Sequence, residues 1–220
     1  MQSSTNEGRV ILVNKPLGWT SFDVVNKIRY KLKVKKVGHA GTLDPLATGL
    51  LIVCTGRKTR EIEKFMGMEK EYIGTLVLGA TTPSYDLETE VVPAGDPSGL
   101  VPEQIMKAAA HLTGTISQIP PAHSAIKVGG KRAYAMARKG HTVDMPPRQV
   151  HVDTFEITKI DLPTVRFRIV CSKGTYIRSL ARDFGEHLKV GAYLSSLCRT
   201  RIGPYRLEDA SDIDGIERIG

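Results

Sequence analysis

The residue types with most chemical potential fall in one run, Gly38-His39-Ala40-Gly41-Thr42-Leu43-Asp44-Pro45-Leu46-Ala47-Thr48-Gly49, which holds a carboxylate, an imidazole and three glycines. An ionised carboxylate can serve as a nucleophile or as a fixed charge beside a developing cation. The apolar run Leu50-Leu51-Ile52-Val53-Cys54 follows at once and reads as a buried strand. Asp44 therefore sits on a Gly- and Pro-punctuated loop feeding a core strand, a place where one acidic group can be held at the wall of a cleft. Taken alone, Asp44 before Pro45 reads first as an Asx-turn, and His39 as a hydrogen-bonded loop histidine.

The elements around this loop read as an irregular mixture. Arg9 to Val13 reads as a first strand, and Thr20 or Ser21 can cap a helix to about Lys33 with Phe22, Val25, Ile28 and Leu32 on one face. Its end is basic, with Lys27, Arg29, Lys31, Lys33, Lys35 and Lys36, either a solvated face placed favourably at the negative end of the helix dipole or a set of phosphate contacts. Thr59 to Met68 reads as a short helix and Tyr72 to Leu78 as a strand. Residues 80–100 read as a long surface connection, and Pro102 to Leu112 as a helix with Pro at its start. The Pro- and Gly-punctuated segment 113–149, in which Lys131 to Lys139 could be helical with Gly140 as its stop, reads as a functional flap. Val150 to Ile160 and Val165 to Cys171 read as paired strands, Thr175 to Lys189 as an amphipathic helix, Leu194 to Ile202 as a closing strand, Arg206 to Ala210 as one more, and Asp212 to Gly220 as a helix barely begun. Without a regular βαβ rhythm, this order predicts α+β with a mixed, largely antiparallel sheet.

Composition narrows the classes. The 220 residues suffice for one substantial core or two small domains. A net charge of +8 favours an anionic partner such as nucleic acid, or simply a solvated basic surface. Cys54, Cys171 and Cys198 are odd in number and widely spaced, which argues against a disulfide framework or zinc site and for a reducing, cytoplasmic setting. Met1 to Gly8 is polar, with no secretory apolar core, and no apolar run is long enough to span a membrane. Gly56-Arg57-Lys58-Thr59 ends like a phosphate-binding loop, but that pattern needs Gly and Lys adjacent, and Arg57 stands between Gly56 and Lys58. His111, His123, His141, His151 and His187 lack metal-ligand spacing. Nothing asks for a metal or cofactor.

The run around Asp44 closely resembles the catalytic loop of the bacterial tRNA pseudouridine-55 synthases, the TruB-type family. Other segments match in the family's order: Val13-Asn14-Lys15-Pro16-Leu17-Gly18-Trp19-Thr20-Ser21-Phe22-Asp23-Val24-Val25, Glu69-Lys70-Glu71-Tyr72, the RNA-clasping segment Ile119-Pro120-Pro121-Ala122-His123-Ser124-Ala125-Ile126-Lys127, Cys171-Ser172-Lys173-Gly174-Thr175-Tyr176-Ile177-Arg178-Ser179-Leu180, and Gly191-Ala192-Tyr193-Leu194 with Leu197-Cys198-Arg199. The resemblance spans roughly residues 9–205. It implies the pseudouridine synthase fold, in one catalytic domain over 9–210 with the insertion at 113–149, a flexible 1–8 and a C-terminal remnant at 211–220. Most bacterial members continue into an RNA-binding domain of the PUA type, so a chain ending at Gly220 reads as a short form without it. Pro83 stands where the family usually has Asp, while Asp86 keeps the second acidic position, which predicts altered loop order there and intact chemistry.

The same resemblance implies roles. Asp44, Tyr72 and Arg178 are the expected catalytic residues: Asp44 at the sugar or base, Tyr72 stacked on the uracil and able to move a proton, and Arg178 as the guanidinium that keeps Asp44 ionised and directed. Tyr176 and Leu197 are expected to line the base pocket, His39 to stand beside the flipped nucleotide, and Lys15, Lys127, Arg132, Arg138, Arg148 and Lys173 to reach phosphates or loops. Uridine to pseudouridine is an isomerisation that exchanges no electrons with a donor, so no cofactor is needed, and the target base must be extruded from a folded loop. Whether Asp44 bonds to the substrate or only stabilises a glycal-type route stays open. The expected partner is the T-arm of tRNA, with no obligatory protein partner and a monomeric state. The competing readings are a non-catalytic RNA-binding or chaperone protein and a guide-RNA-dependent synthase.

Overall fold

The structure, a computed structural model, describes residues 7–122, 124, 127–128, 131–132, 134, 136 and 145–216. In chain order the elements are β1 (Val10–Lys15), α1 (Ser21–Leu32), β2 (Val37–His39), β3 (Ala47–Thr55), α2 (Ile62–Gly67), β4 (Lys70–Leu78), β5 (Ala80–Thr81), β6 (Val92–Pro93), α3 (Pro102–His111), β7 (Gly114–Gln118), β8 (Lys127–Val128), β9 (Lys131–Arg132), β10 (Arg148–Asp161), β11 (Thr164–Cys171), α4 (Ile177–Leu188), β12 (Ala192–Ile202) and β13 (Tyr205–Arg206). They form two compact units, residues 1–73 with 197–220, and residues 74–196. The chain leaves the first unit inside β4 and returns inside β12.

In the first unit β3 is the central strand. On one edge it pairs antiparallel with β1, from Val10 opposite Cys54 to Lys15 opposite Gly49. The other edge is shared: β2 takes Val53 to Thr55, antiparallel, and β12 takes Ala47 to Gly49, parallel. The continuous apolar run of β3 is explained by burial on both faces. Leu51 and Val53 join Val24, Ile28 and Leu32 of α1 in one cluster, whereas Leu50, Ile52 and Cys54 join Phe65 and Ile202 in another.

Of the two expected caps, Thr20 takes the role, in a capping box: Asp23 N–H donates to Thr20 Oγ1 at 3.0 Å and Thr20 N–H to Asp23 Oδ2 at 2.8 Å. Its buried face is Ser21, Val24, Val25, Ile28 and Leu32. Phe22, expected there, is instead 59 % exposed: at about 100° per residue it lies a quarter-turn from that stripe, and Val24 takes the place assigned to it.

Gly49 shows how tightly β3 and β12 meet. Its φ is +100°, and a Cβ there would lie 2.4 Å from the Arg199 carbonyl oxygen and 2.8 Å from the Arg199 nitrogen. Gly49→Ala is expected to destabilise the protein by about 3 kcal/mol, from positive-φ strain plus backbone displacement. Urea denaturation of the two proteins checks this.

The second unit is a sheet in the order β12, β4, β11, β10, β7. β10 pairs antiparallel with β11 and β7. A register shift between Val152 and Thr154 is a bulge that reverses the facing of later residues, so burial passes from Val150 and Val152 to Phe155. Phe155 meets Phe167 and Phe184 at centroid distances of 6.0 and 5.5 Å, which fixes α4 against this sheet; α3 packs on both β10 and α4. Each unit is thus α+β; β3 pairs parallel with β12 in the first, and β10 pairs antiparallel with β11 and β7 in the second, so the strands as a whole are mixed and mostly antiparallel.

Several expected elements differ. Residues 80–100 are more than a surface connection: β5 and β6 pair, and Thr82, Ser84 and Asp86 are buried. The segment 113–149 begins with a sheet strand, because Gly114–Gln118 pairs with Val152–Arg148. Of the expected helix Lys131 to Lys139, Lys131 and Arg132 instead form a strand opposite Lys127 and Val128, Tyr134 and Met136 are helical, and residues 133, 135 and 137–139 lie outside the described residues. Residues 56–61 form a 3-10 turn before α2; of the expected strand Arg206 to Ala210 only Arg206 lies in β13, with Leu207–Asp209 a 3-10 turn, and the expected helix start holds the 3-10 turn Ile213–Gly215, its residues 217–220 lying outside the described residues. Leu194 to Ile202, expected to close the sheet, pairs parallel with the central strand. Among the described residues no helix is long and apolar enough to cross a membrane, and no His/Cys/Asp/Glu group is arranged to hold a metal.

Candidate active site

The Asp44 loop leaves the edge of β3 in the gap between β2 and β12. Sheet carbonyls exposed in that gap must find other donors: Ile52 accepts from Ala40 N–H at 2.8 Å and Leu50 from Arg199 Nε at 2.8 Å. The loop itself is held through its main chain. Each carbonyl from Gly41 to Pro45 accepts a hydrogen bond: Gly41 from Arg199 Nη2 (3.1 Å), Thr42 from Arg199 Nη1 (3.5 Å), Leu43 from Ser21 Oγ (3.0 Å), Asp44 from Ala47 N–H (3.0 Å), and Pro45 from Gly18 N–H (2.8 Å) and Lys15 Nζ (3.4 Å). Ser21 Oγ also accepts from Leu43 N–H at 2.8 Å. With its backbone so determined, the half-buried Asp44 is presented by a rigid support, as a reacting group requires.

Lys15, which the sequence reading sends to a phosphate, is fully buried. Its ammonium donates to the carbonyls of Trp19 (2.6 Å) and Pro16 (3.0 Å) as well as Pro45, so it ties the opening motif to the loop. Burial pulls its pKa down from 10.5 to about 8; repulsion from Arg199 adds to this, while Asp44 and Asp23 oppose it. Between about 8 and 10.5 the unfolded chain then binds the proton that the folded protein has released, so folding stability rises with pH across that window. Urea denaturation at pH values spanning it should therefore show wild type gaining stability relative to Lys15→Met as pH rises.

His39 ends β2. Burial and the Arg199 charge lower its pKa below 6.5, against a backbone hydrogen bond with Gly41, so the imidazole is neutral at neutral pH. Its Nδ1 is buried and has no hydrogen-bond partner among the described residues. Tyr72 is a buried residue of β4, and Leu197 lies half-buried on β12 opposite Ala47, at the exit of the Asp44 loop.

The second unit holds Arg178, Tyr176 and Lys173. Arg178, buried in the first turn of α4, places Nε 3.6 Å from Asp86 Oδ2 and donates through Nη1 to the Ser84 carbonyl at 3.3 Å. Asp86 is fixed in turn: its carbonyl accepts from Thr82 Oγ1 (2.6 Å) and Ser84 Oγ (3.1 Å), and its Oδ1 from Glu88 N–H (3.0 Å). Far from loosening the segment, Pro83 sits in a turn bonded from Tyr85 N–H to the Thr82 carbonyl. Tyr176 precedes α4 and is clamped by Gln118, which donates to its carbonyl (3.1 Å) and accepts from its N–H (2.8 Å). The Arg148 guanidinium lies 4.5 Å from the Tyr176 ring centroid and donates to the Gly174 carbonyl, so Arg148 holds the Tyr176 ring in place. Lys173 is exposed. Lys127 has its backbone in β8, and its side chain lies outside the described residues.

Sequence reasoning missed three residues here: Asp86 as the ion-pair partner of Arg178, Gln118 as the clamp on Tyr176, and Arg199 as the buried donor to the loop. Arg199 lay within a matched motif and Asp86 kept an acidic position of the family's pattern, but neither signal named the partner; nothing local pointed to Gln118.

Known proteins resemble this chain over most of its length. The family described as "TruB family pseudouridylate synthase (N terminal domain)" matches residues 29–177. The tRNA pseudouridine synthase B of Phocaeicola vulgatus is 54 % identical over 214 residues, covering 94 % of this chain and 91 % of its own. The protein of that name in Flavobacterium johnsoniae is 50 % identical over 214 residues, covering 94 % and 93 %. A chain from the crystal structure of a Cbf5-Nop10-Gar1 complex shares the fold at a TM-score of 0.73 and 32 % identity; 93 % of this chain is covered, and it spans 53 % of that one. On its sequence and its fold alike, the chain belongs to the TruB family of pseudouridylate synthases.

Proposed function

We propose that this protein isomerises uridine to pseudouridine in tRNA, at position 55 of the TΨC loop, in the cytoplasm and without an obligatory protein partner. The observation that carries the reading is a single carboxylate, Asp44, on a loop whose carbonyls from Gly41 to Pro45 are all bonded, in a chain 54 % identical to a tRNA pseudouridine synthase B. Binding alone would gain nothing from placing an anion before an anionic ligand.

The reaction balances without a donor. The N1–C1′ bond breaks, the uracil turns, a C5–C1′ bond forms, the proton on C5 leaves and N1 gains one. Asp44 meets the electron-poor sugar or base, as nucleophile or as counter-charge. Arg178 is its cationic partner, and Tyr72 stacks on the uracil and moves the C5 proton. Tyr176 and Leu197 supply the rest of the pocket, and neutral His39 occupies space beside the flipped nucleotide. Extrusion of the base costs a few kcal/mol, which stacking offsets. Lys173 and Lys127 take phosphates, which makes binding salt-sensitive; Lys15 serves the loop instead.

The test is incubation of the purified monomer with an unmodified tRNA transcript, without added metal or cofactor, followed by a carbodiimide reverse-transcription stop assay. A stop at position 55 is expected. Tight tRNA binding with no stop would overturn the reading in favour of an RNA-binding protein, and a stop that appears only with a guide RNA in favour of a guided synthase.

A further inference from the structure

We propose that Arg199 is a positioning residue for Asp44, acting through the loop main chain and through its own buried charge; the assignment rests on the Asp44 loop being the catalytic loop. Arg199 is 1 % exposed and lies on β12, in the parallel register that sets it opposite Gly49. From there its side chain fills the gap that β2 and β12 leave on the edge of β3. Nε bonds the strand at Leu50, while Nη2 and Nη1 bond the loop at Gly41 and Thr42. One planar group thus joins the core strand to the first two residues of the segment that bears Asp44. A lysine has no planar fork and could not reach all three carbonyls in these directions.

The charge has a separate consequence. All the hydrogen bonds of Arg199 go to main-chain carbonyls, and among the described residues no carboxylate forms an ion pair with it. An unpaired buried cation is costly, and neutral donors could bond the same carbonyls. What the cation adds is positive potential in the loop, and this potential is felt: Arg199 depresses the pKa of both His39 on β2 and Lys15 on β1. Arg199 thus acts on Lys15 and His39, while Asp44 and Asp23 of α1 act on Lys15. The guanidinium therefore holds the Asp44 loop through its main chain and sets a positive charge beside the His39 imidazole.

The experiment compares wild type, Arg199→Lys, Arg199→Met and a core control, Ile213→Ala, which lies in the α1 cluster of the same unit. Melting temperature, kcat, KM and the pH profile are measured on a tRNA transcript. Arg199→Lys keeps the charge and loses the fork; kcat should fall roughly 30-fold with KM nearly unchanged, because a displacement of about 1 Å at a reacting group costs on the order of 100-fold. Its acid limb should stay in place. Arg199→Met should lower kcat further and move the acid limb upward by about one pH unit, since His39 then protonates more readily. A purely structural role would change activity without moving that limb. The proposal is overturned if Arg199→Lys keeps wild-type kcat, if it loses no more than Ile213→Ala at equal loss of melting temperature, or if the acid limb of Arg199→Met does not move. Should Arg199→Met fail to fold, the comparison of Arg199→Lys with the control decides. A wild-type protein that forms no pseudouridine refutes the functional reading itself, whereas an active wild type with indifferent variants refutes only the role of Arg199.

Discussion

Asp44→Asn should abolish pseudouridine formation, lowering kcat by roughly 10⁴-fold or more, the scale seen when an essential reacting group is removed, while tRNA still binds. The replacement is nearly isosteric. The bonds that shape the loop run from Arg199, Ser21, Ala47, Gly18 and Lys15 to main-chain carbonyls, and Asn leaves those carbonyls in place. Stability should therefore change by no more than about 1 kcal/mol. Loss of one negative charge that faces an RNA should leave affinity equal or slightly improved. Filter binding and single-turnover kinetics on one preparation separate the two effects. If Asn retained more than a few per cent of kcat, Asp44 would not be the reacting group.

The second large effect is expected at Arg178. Its guanidinium and the Asp86 carboxylate are both buried, with side-chain exposures of 4 and 7 %. Removing one member of a buried ion pair strands the other, at a cost of about 3–5 kcal/mol. Arg178→Met should thus lower the melting temperature by roughly 10 °C and also remove activity. The double variant Arg178→Met with Asp86→Asn separates stability from chemistry. Asn keeps the oxygen that accepts from Glu88 N–H and carries no charge, so most of the lost stability should return. Activity should not return, because the guanidinium is still absent. Calorimetry beside the tRNA assay checks both halves. Activity that recovers along with stability would reduce Arg178 to a structural residue.

Local signals were legible in the sequence because they act within a few residues. A capping residue at Thr20 or Ser21 marked the start of α1, the apolar run after Gly49 marked β3, and the stretches at 150–160 and 165–171 marked the β10–β11 pair. Facing was less legible. Phe22 belonged to a plausible helical pattern yet lies off the buried stripe, and the bulge after Val152 changed which residues of β10 point inward. Both outcomes depend on what packs opposite. The 80–100 and 113–149 segments were read as loop and flap because Pro, Gly and polar residues dominate them. Buried hydroxyls at Thr82 and Ser84 and a sheet edge at Gly114–Gln118 order parts of both, and composition does not encode such partners.

By itself the sequence determined the family, the α+β class, and Asp44 as the carboxylate on a loop entering a core strand, since ordered motifs and short-range periodicity suffice for these. Tertiary structure alone decided what each charged side chain does. Lys15 is a basic residue in a matched motif, and only its burial on three carbonyls removes it from the surface. Arg199 reaches Leu50 across 149 residues of chain, and Arg178 reaches Ser84 across 94. A charge is cheap in water and costly in a core, so its role is set by whichever groups the fold brings within about 4 Å of it. Those neighbours are supplied by strand register and helix packing, on which the residues beside it in the chain are silent.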